Sequence, residues 1–100
     1  MSLIIAGTVR VPPANVEGLR PHMLAMMAAS QAEEGCHAYR YAEDVGEPGM
    51  MHIFEIWRDQ ACLDAHFKTA HMAAWRAAWP SFGVSDRKLF AYETASERPL

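Results

Sequence analysis

The segment EIWRDQACLDAHFKTAHMAAW, Glu55–Trp75, decides how this chain is read. It leaves a strand at Trp57, enters a helix at Gln60, and continues past Thr69 into a second helical run. Asp59 is a suitable N-cap, because its carboxylate can accept the unpaired N–H groups of a first helical turn. Leu63 and Phe67 stand at i and i+4 and form the core stripe of that helix. Thr69 interrupts it, and the Ala-rich stretch Ala70–Trp79 is helical until Pro80 ends it. Glu55, Trp57, Cys62, His66, His71 and Trp75 fall within these 21 residues. That density of titratable and aromatic groups exceeds what packing alone requires.

Working outward, MMHIFEIW (50–57) is a strand whose imperfect alternation suggests cover on both faces. DVGEPG (44–49) is a turn. CHAYRYAE (36–43) alternates, with His37, Tyr39 and Tyr41 on one face and Cys36, Ala38, Arg40 and Ala42 on the other. Pro13–Gly35 repeats apolar residues at Val16, Leu19, Met23, Met26 and Met27, one face of a helix. Pro21 should kink that helix or mark where its regular part begins, and Gly35 stops it. LIIAGTVRV (3–11) is a β-branched strand closed by Pro12-Pro13, RKLFAYET (87–94) is a last strand, and SERPL is a polar tail. The order β-α-β-β-α-β predicts an α+β, ferredoxin-like fold with an antiparallel sheet, in one domain over residues 1–100.

Composition sets the outer bounds. Apolar residues make up 51% of 100, with seven Met and three Trp. A domain this small buries only about two-thirds of its unfolded surface. Such a surplus points to a second buried surface, either a homodimer interface or a lined pocket. The net charge of −3 is small and both signs are scattered, which argues against nucleic acid or an anionic membrane as partner. No apolar run approaches the roughly 18 residues of a membrane span. Cys36 and Cys62 lie in regular elements and suit reduced thiols in a cytoplasmic protein, as small buried hydrophobes.

The chemistry-bearing residues admit few arrangements. On one continuous helix His66 and His71 would point roughly 140° apart, so they would not converge on an ion. Cys62 and His66 share a face but lack a third ligand, and the same pair has no evident oxyanion site for nucleophilic work. No metal site is therefore expected, and no Gly-rich phosphate loop is present. Glu55 in an apolar strand must be hydrogen-bonded or ion-paired, or else take up a proton through burial. An ion pair with an Arg such as Arg40 on the neighbouring strand is the packing alternative. His66 stands at the boundary of core and solvent, and His71 and Trp75 at i, i+4 can stack. Each has a packing role available; together they could wall a small apolar cavity between helix and sheet.

Three motifs carry a resemblance to a known family: EEGCHAYRY (33–41), FEIWRDQACLDAHFKTAHMAAW (54–75) and the closing KLFAYE (88–93). At these residues the chain resembles the antibiotic biosynthesis monooxygenase domain family. The resemblance implies a dimeric α+β barrel, in which two sheets close on each other, with a pocket between sheet and helices in each subunit. It implies oxidation of a hydroquinone or aromatic polyketide-like substrate by O2, with no cofactor. His66 would be the catalytic base or proton relay; Trp57, His71, Trp75 and Tyr39 would be pocket walls, and Arg40 a stabiliser of the substrate oxyanion. Haem-degrading relatives use an Asn on the first strand, and AGTVR (6–10) has none. A branch that isomerises a phosphorylated sugar would want a cationic pocket, which scattered charges do not supply. A non-catalytic dimeric module binding a small ligand, or an isomerase of the same fold, are the alternatives.

Overall fold

The computed structural model describes residues 2–100. Its elements are β1 (Leu3–Arg10), a 3-10 turn (Pro13–Asn15), α1 (Val16–Gln31), β2 (Cys36–Glu43), β3 (Met50–Trp57), α2 (Gln60–Phe67), α3 (Ala70–Phe82) and β4 (Ser85–Glu93). The strands form one antiparallel sheet in the order β2-β3-β1-β4. This is the ferredoxin-like α+β arrangement that the alternation of elements predicts, with the second helix in two pieces.

Cross-strand register sorts the side chains. Leu3, Ile5 and Val9 stand opposite Trp57, Glu55 and Met51, and all six are buried under the helices. Leu19, Met23 and Met26 of α1 and Met72 and Trp75 of α3 complete that core. The intervening residues point the other way: Ile4 lies beside Ile56 and Tyr92, and Ala6 beside Phe54 and Phe90. Phe54, Phe90 and Tyr92 are 43%, 60% and 53% exposed. Strand β3 is thus covered on one face of the single chain rather than two.

Local expectations hold or shift for identifiable reasons. Asp59 caps α2, its Oδ1 accepting the Cys62 N–H at 2.9 Å. Helix α1 tolerates Pro21 near its start, where only the Glu17 carbonyl loses a donor. It ends at Gln31 rather than Gly35. The turn that follows is held by Glu33 N–H to Ser30 carbonyl and Cys36 N–H to Glu33 carbonyl bonds. Gly35 takes φ +78°, and a Cβ there would strike Cys62 Sγ. Pro80 does not end α3, which runs two residues further to Phe82 and is closed by Gly83 at φ +70°, whose N–H donates to the Trp79 carbonyl. Phe67 is 40% exposed and lies off the core, because α2 turns Cys62, Leu63 and His66 inward instead. A register shift between Cys36 and Ala38 throws His37 out to solvent, while Tyr39 stays buried and Tyr41 half-buried. Among the described residues, no helix is long and apolar enough to cross a membrane.

Candidate functional site

The break between α2 and α3 builds the site. Thr69 caps α3 by accepting the Met72 N–H through Oγ1, and its own hydroxyl donates back to the His66 carbonyl at 2.8 Å. The chain turns there, so His66 from the last turn of α2 and His71 from the first turn of α3 converge. His66 Nδ1 donates to Glu33 Oε2 at 2.6 Å, and His71 Nε2 donates to the same oxygen at 2.8 Å. The expected 140° separation assumed one continuous helix and does not apply across this break. The three side chains grade from inside to outside: His66 is 1%, Glu33 14% and His71 25% exposed. Their ligand atoms lie within 4.8 Å of one another, a donor set that could hold a metal ion.

His66 is packed between aromatic rings, its centroid 4.7 Å from Trp57 and 5.3 Å from Tyr39. Burial lowers its pKa below the ordinary value, against the opposing pull of Glu33, and His71 and Arg76 lower it further. The imidazole is therefore neutral near pH 7. With the proton of Nδ1 committed to Glu33, Nε2 keeps the lone pair of a base. Nε2 has no hydrogen-bond partner among the described residues.

His66, Tyr39, Tyr41, Glu55 and Trp79 border a cavity of about 580 Å³ between the sheet and α2–α3. Leu63, Met72 and Leu89 supply apolar wall, and Arg76 and Arg87 supply positive charge. Volume and lining fit a small polycyclic or substituted aromatic molecule. Burial pushes the Tyr41 phenol up to about 12 and the Tyr39 phenol higher still, so both remain donors at neutral pH.

Glu55 is not an ion-pair partner of Arg40. Register places Arg40 opposite Phe54, on the other face of the sheet, and its Nη1 donates to the Tyr39 carbonyl at 3.0 Å. Glu55 Oε1 accepts the Trp57 indole N–H at 2.8 Å instead. Burial pushes the Glu55 carboxyl up to about 7, offset in part by that bond and by the charge of Arg87. It is a cavity carboxyl that exchanges its proton near neutrality.

The residues named from the sequence separate into groups. His66 and Tyr39 line the main cavity. Trp57 is fully buried behind His66 and backs the wall without forming it. His71 and Trp75 border a separate hollow of about 130 Å³ with His22 and Met26. Arg40 borders a third with Cys36 and Gln31, at the edge of β2. The cavity's cations are Arg76 and Arg87, and its carboxylates are Glu55 within and Glu33 behind His66. Glu33, Arg76 and Arg87 were not legible as site residues. Glu33 lies 33 residues from His66, and only the fold joins them. Cys62 makes no bond to His66; its Sγ accepts from Arg58 Nη2 at 3.1 Å. Hydrogen bonding to Asp59 and burial raise its thiol pKa, which removes the basis for a thiolate nucleophile.

Comparison with known proteins agrees with this architecture. The family model for antibiotic biosynthesis monooxygenase matches residues 2–78. The uncharacterized protein sll1783 of Synechocystis sp. is 28% identical over 98 residues, which span 98% of this chain and 67% of the relative. YcnE of Bacillus subtilis, provisionally named a monooxygenase, is 30% identical over 69 residues, or 69% of this chain and 73% of the relative. A crystal structure from Deinococcus radiodurans, provisionally named an antibiotic biosynthesis monooxygenase, superposes with a TM-score of 0.88 at 24% identity. That match covers 100% of this chain and 98% of the other and speaks to fold alone.

Proposed function

The chain belongs to the antibiotic biosynthesis monooxygenase family, and from that premise we propose that it oxygenates an electron-rich aromatic substrate, a hydroquinone or polyketide-like phenol, with O2 and no redox cofactor. The observation that carries the proposal is the orientation of His66. Its Nδ1 lies 2.6 Å from Glu33 Oε2 while the same imidazole borders a 580 Å³ cavity.

The chemistry follows from those placements. His66 Nε2 removes a proton from a substrate phenol, or from a ring methylene acidified by a neighbouring carbonyl. Glu33 stabilises the imidazolium that results, and Arg76 and Arg87 offset the charge of the substrate anion. That anion is a strong enough reductant to pass an electron to O2, and the radical pair then combines at the ring carbon. Overall a methylene and O2 become a carbonyl and water: one oxygen atom enters the substrate, and the other leaves with the two displaced hydrogens. The apolar walls of Leu63, Met72 and Leu89 keep bulk water from the reactive anion. Glu55, a cavity carboxyl whose pKa is raised to about 7, then serves as the acid that protonates the peroxide oxygen before the O–O bond breaks.

The second half of the proposal is a homodimer. The face bearing Ile4, Phe54, Ile56, Phe90 and Tyr92 leaves three large aromatic side chains 43–60% exposed, and that apolar surface supports burial against a second copy. A second copy, laid sheet to sheet, would bury it. Two free cysteines suit a cytoplasmic setting.

Oxygen uptake with a panel of hydroquinones and anthrones tests the activity. The wild type should consume O2 in chelator-treated buffer, and His66→Ala should lose at least about 100-fold of that rate. Equal rates would remove His66 from the mechanism. Product formed without oxygen uptake would assign the cavity to an isomerase, and ligand-raised thermal stability with no product would assign it to a binding module.

A further inference from the structure

We propose that Glu33, His66 and His71, whose ligand atoms lie within 4.8 Å of one another, form a binding site for one divalent first-row transition ion, of the zinc class. Three separate elements supply the ligands: the turn after α1, the last turn of α2 and the first turn of α3. Both imidazole nitrogens aim at a single carboxylate oxygen, at 2.6 and 2.8 Å. Nitrogens that direct N–H groups to one point direct lone pairs to the same point once those protons leave. An ion near that point, with the carboxylate drawn back and the two rings closing by roughly 0.5–0.8 Å to zinc–imidazole bonding distance, meets two imidazoles and a carboxylate, a donor set suited to such ions.

Three further observations support the site. Glu33 sits in the hydrogen-bonded turn after α1 rather than in the helix, so its backbone is fixed independently of the two histidine-bearing helices. Glu33 Oε1 has no hydrogen-bond partner among the described residues and is free to complete a chelate. His71, a quarter exposed, leaves an approach from solvent on the side away from the cavity, where a water can fill the fourth position. The nearby cation, Arg76, donates through Nη2 to the Phe67 carbonyl at 3.2 Å and makes no bond to Glu33, although its charge is felt at His66. The cluster with neutral imidazoles carries one negative charge, which favours a cation.

The ion would be an inhibitor of the proposed base, not an oxidant. A neutral imidazole ligating through Nδ1 carries its proton on Nε2, so His66 could no longer accept one from a substrate. The site does not depend on the oxygenase reading, because binding can be measured without turnover.

Calorimetric titration of the tag-free, chelator-stripped protein with Zn2+ tests the site, with Co2+ as a spectroscopic probe. One ion per chain should bind, and Co2+ should develop the intense visible bands of low-symmetry four-coordination. Glu33→Gln keeps a hydrogen-bond acceptor for both histidines and should fold normally while losing more than the roughly 10–100-fold in affinity that removal of an outer-sphere partner costs. His71→Ala should lose a comparable factor. His52→Ala, which breaks the exposed His52–Asp44 pair at 2.7 Å, should leave affinity unchanged. Absence of stoichiometric binding, or equal affinity in Glu33→Gln, His71→Ala and the wild type, would overturn the proposal.

Discussion

Glu55→Gln isolates the energetic consequence of the carboxyl buried in the β3 row. Glu55 is 4% exposed, and Oε1 accepts the Trp57 indole N–H at 2.8 Å, a bond the glutamine carbonyl can also accept. Burial raises the folded carboxyl from its ordinary 4.5 to about 7. Below pH 4.5 the group is protonated in folded and unfolded chains alike and contributes no difference. Between 4.5 and 7 the folded state binds more protons than the unfolded one, so stability falls as pH rises and levels off above 7. An interval of 2.5, from 4.5 to about 7, corresponds to about 3 kcal/mol at 1.36 kcal/mol per pH unit. Urea unfolding of both proteins at equal chain concentration across this range is the assay. Histidine titrations occur in both proteins and cancel in the difference. The variant should gain on the wild type by about 3 kcal/mol between pH 4.5 and 8. A difference that is flat with pH would refute the assignment of Glu55 as a protonatable buried group.

Gly35→Ala places a methyl group against Cys62 Sγ at φ +78°, so urea unfolding should show a loss of about 1 kcal/mol or more. A heteronuclear spectrum should also show the His66 and His71 ring signals displaced, because Glu33 sits on the same turn. Leu19→Ala opens a cavity where Leu19 is fully buried, and unfolding should cost about 2–5 kcal/mol less than for the wild type. Phe54→Asp with Phe90→Asp puts charge on the open sheet face, and sedimentation velocity should show a dimeric wild type become monomeric. A wild type that sediments as a monomer would exclude the sheet-to-sheet dimer.

Legibility varied with the range of the interaction. The strands, the Asp59 cap and the split second helix follow from spacing and turn chemistry within a few residues. Element ends were less legible: Pro80 lies in a last turn that Gly83 closes, and α1 ends before Gly35 because the turn satisfies its own bonds. The exposure of His37 depends on a bulge, which two-residue alternation does not report. Phe67 follows the i, i+4 pattern of a core position, yet the rotation of α2 gives that place to His66. The site itself was legible in part. His66 and Tyr39 stood out by residue type, whereas Glu33 is brought to them only by the packing of α1 on α3, and Arg76 and Arg87 look like ordinary surface charges in sequence. The Glu55–Arg40 pair failed on register, since neighbouring strands can place opposite charges on opposite faces.

The assignment of His66 as the base can be tested apart from oxygen chemistry. An anthrone or hydroquinone is added under strict anaerobiosis, and its absorbance is followed as it enters the cavity. The wild type should produce the red-shifted spectrum of the substrate anion near neutral pH, His66→Ala should bind the neutral form, and Glu33→Gln should give an intermediate yield. An anion spectrum of full strength in His66→Ala, or oxygen uptake by a wild type that never ionises its ligand, would contradict the mechanism.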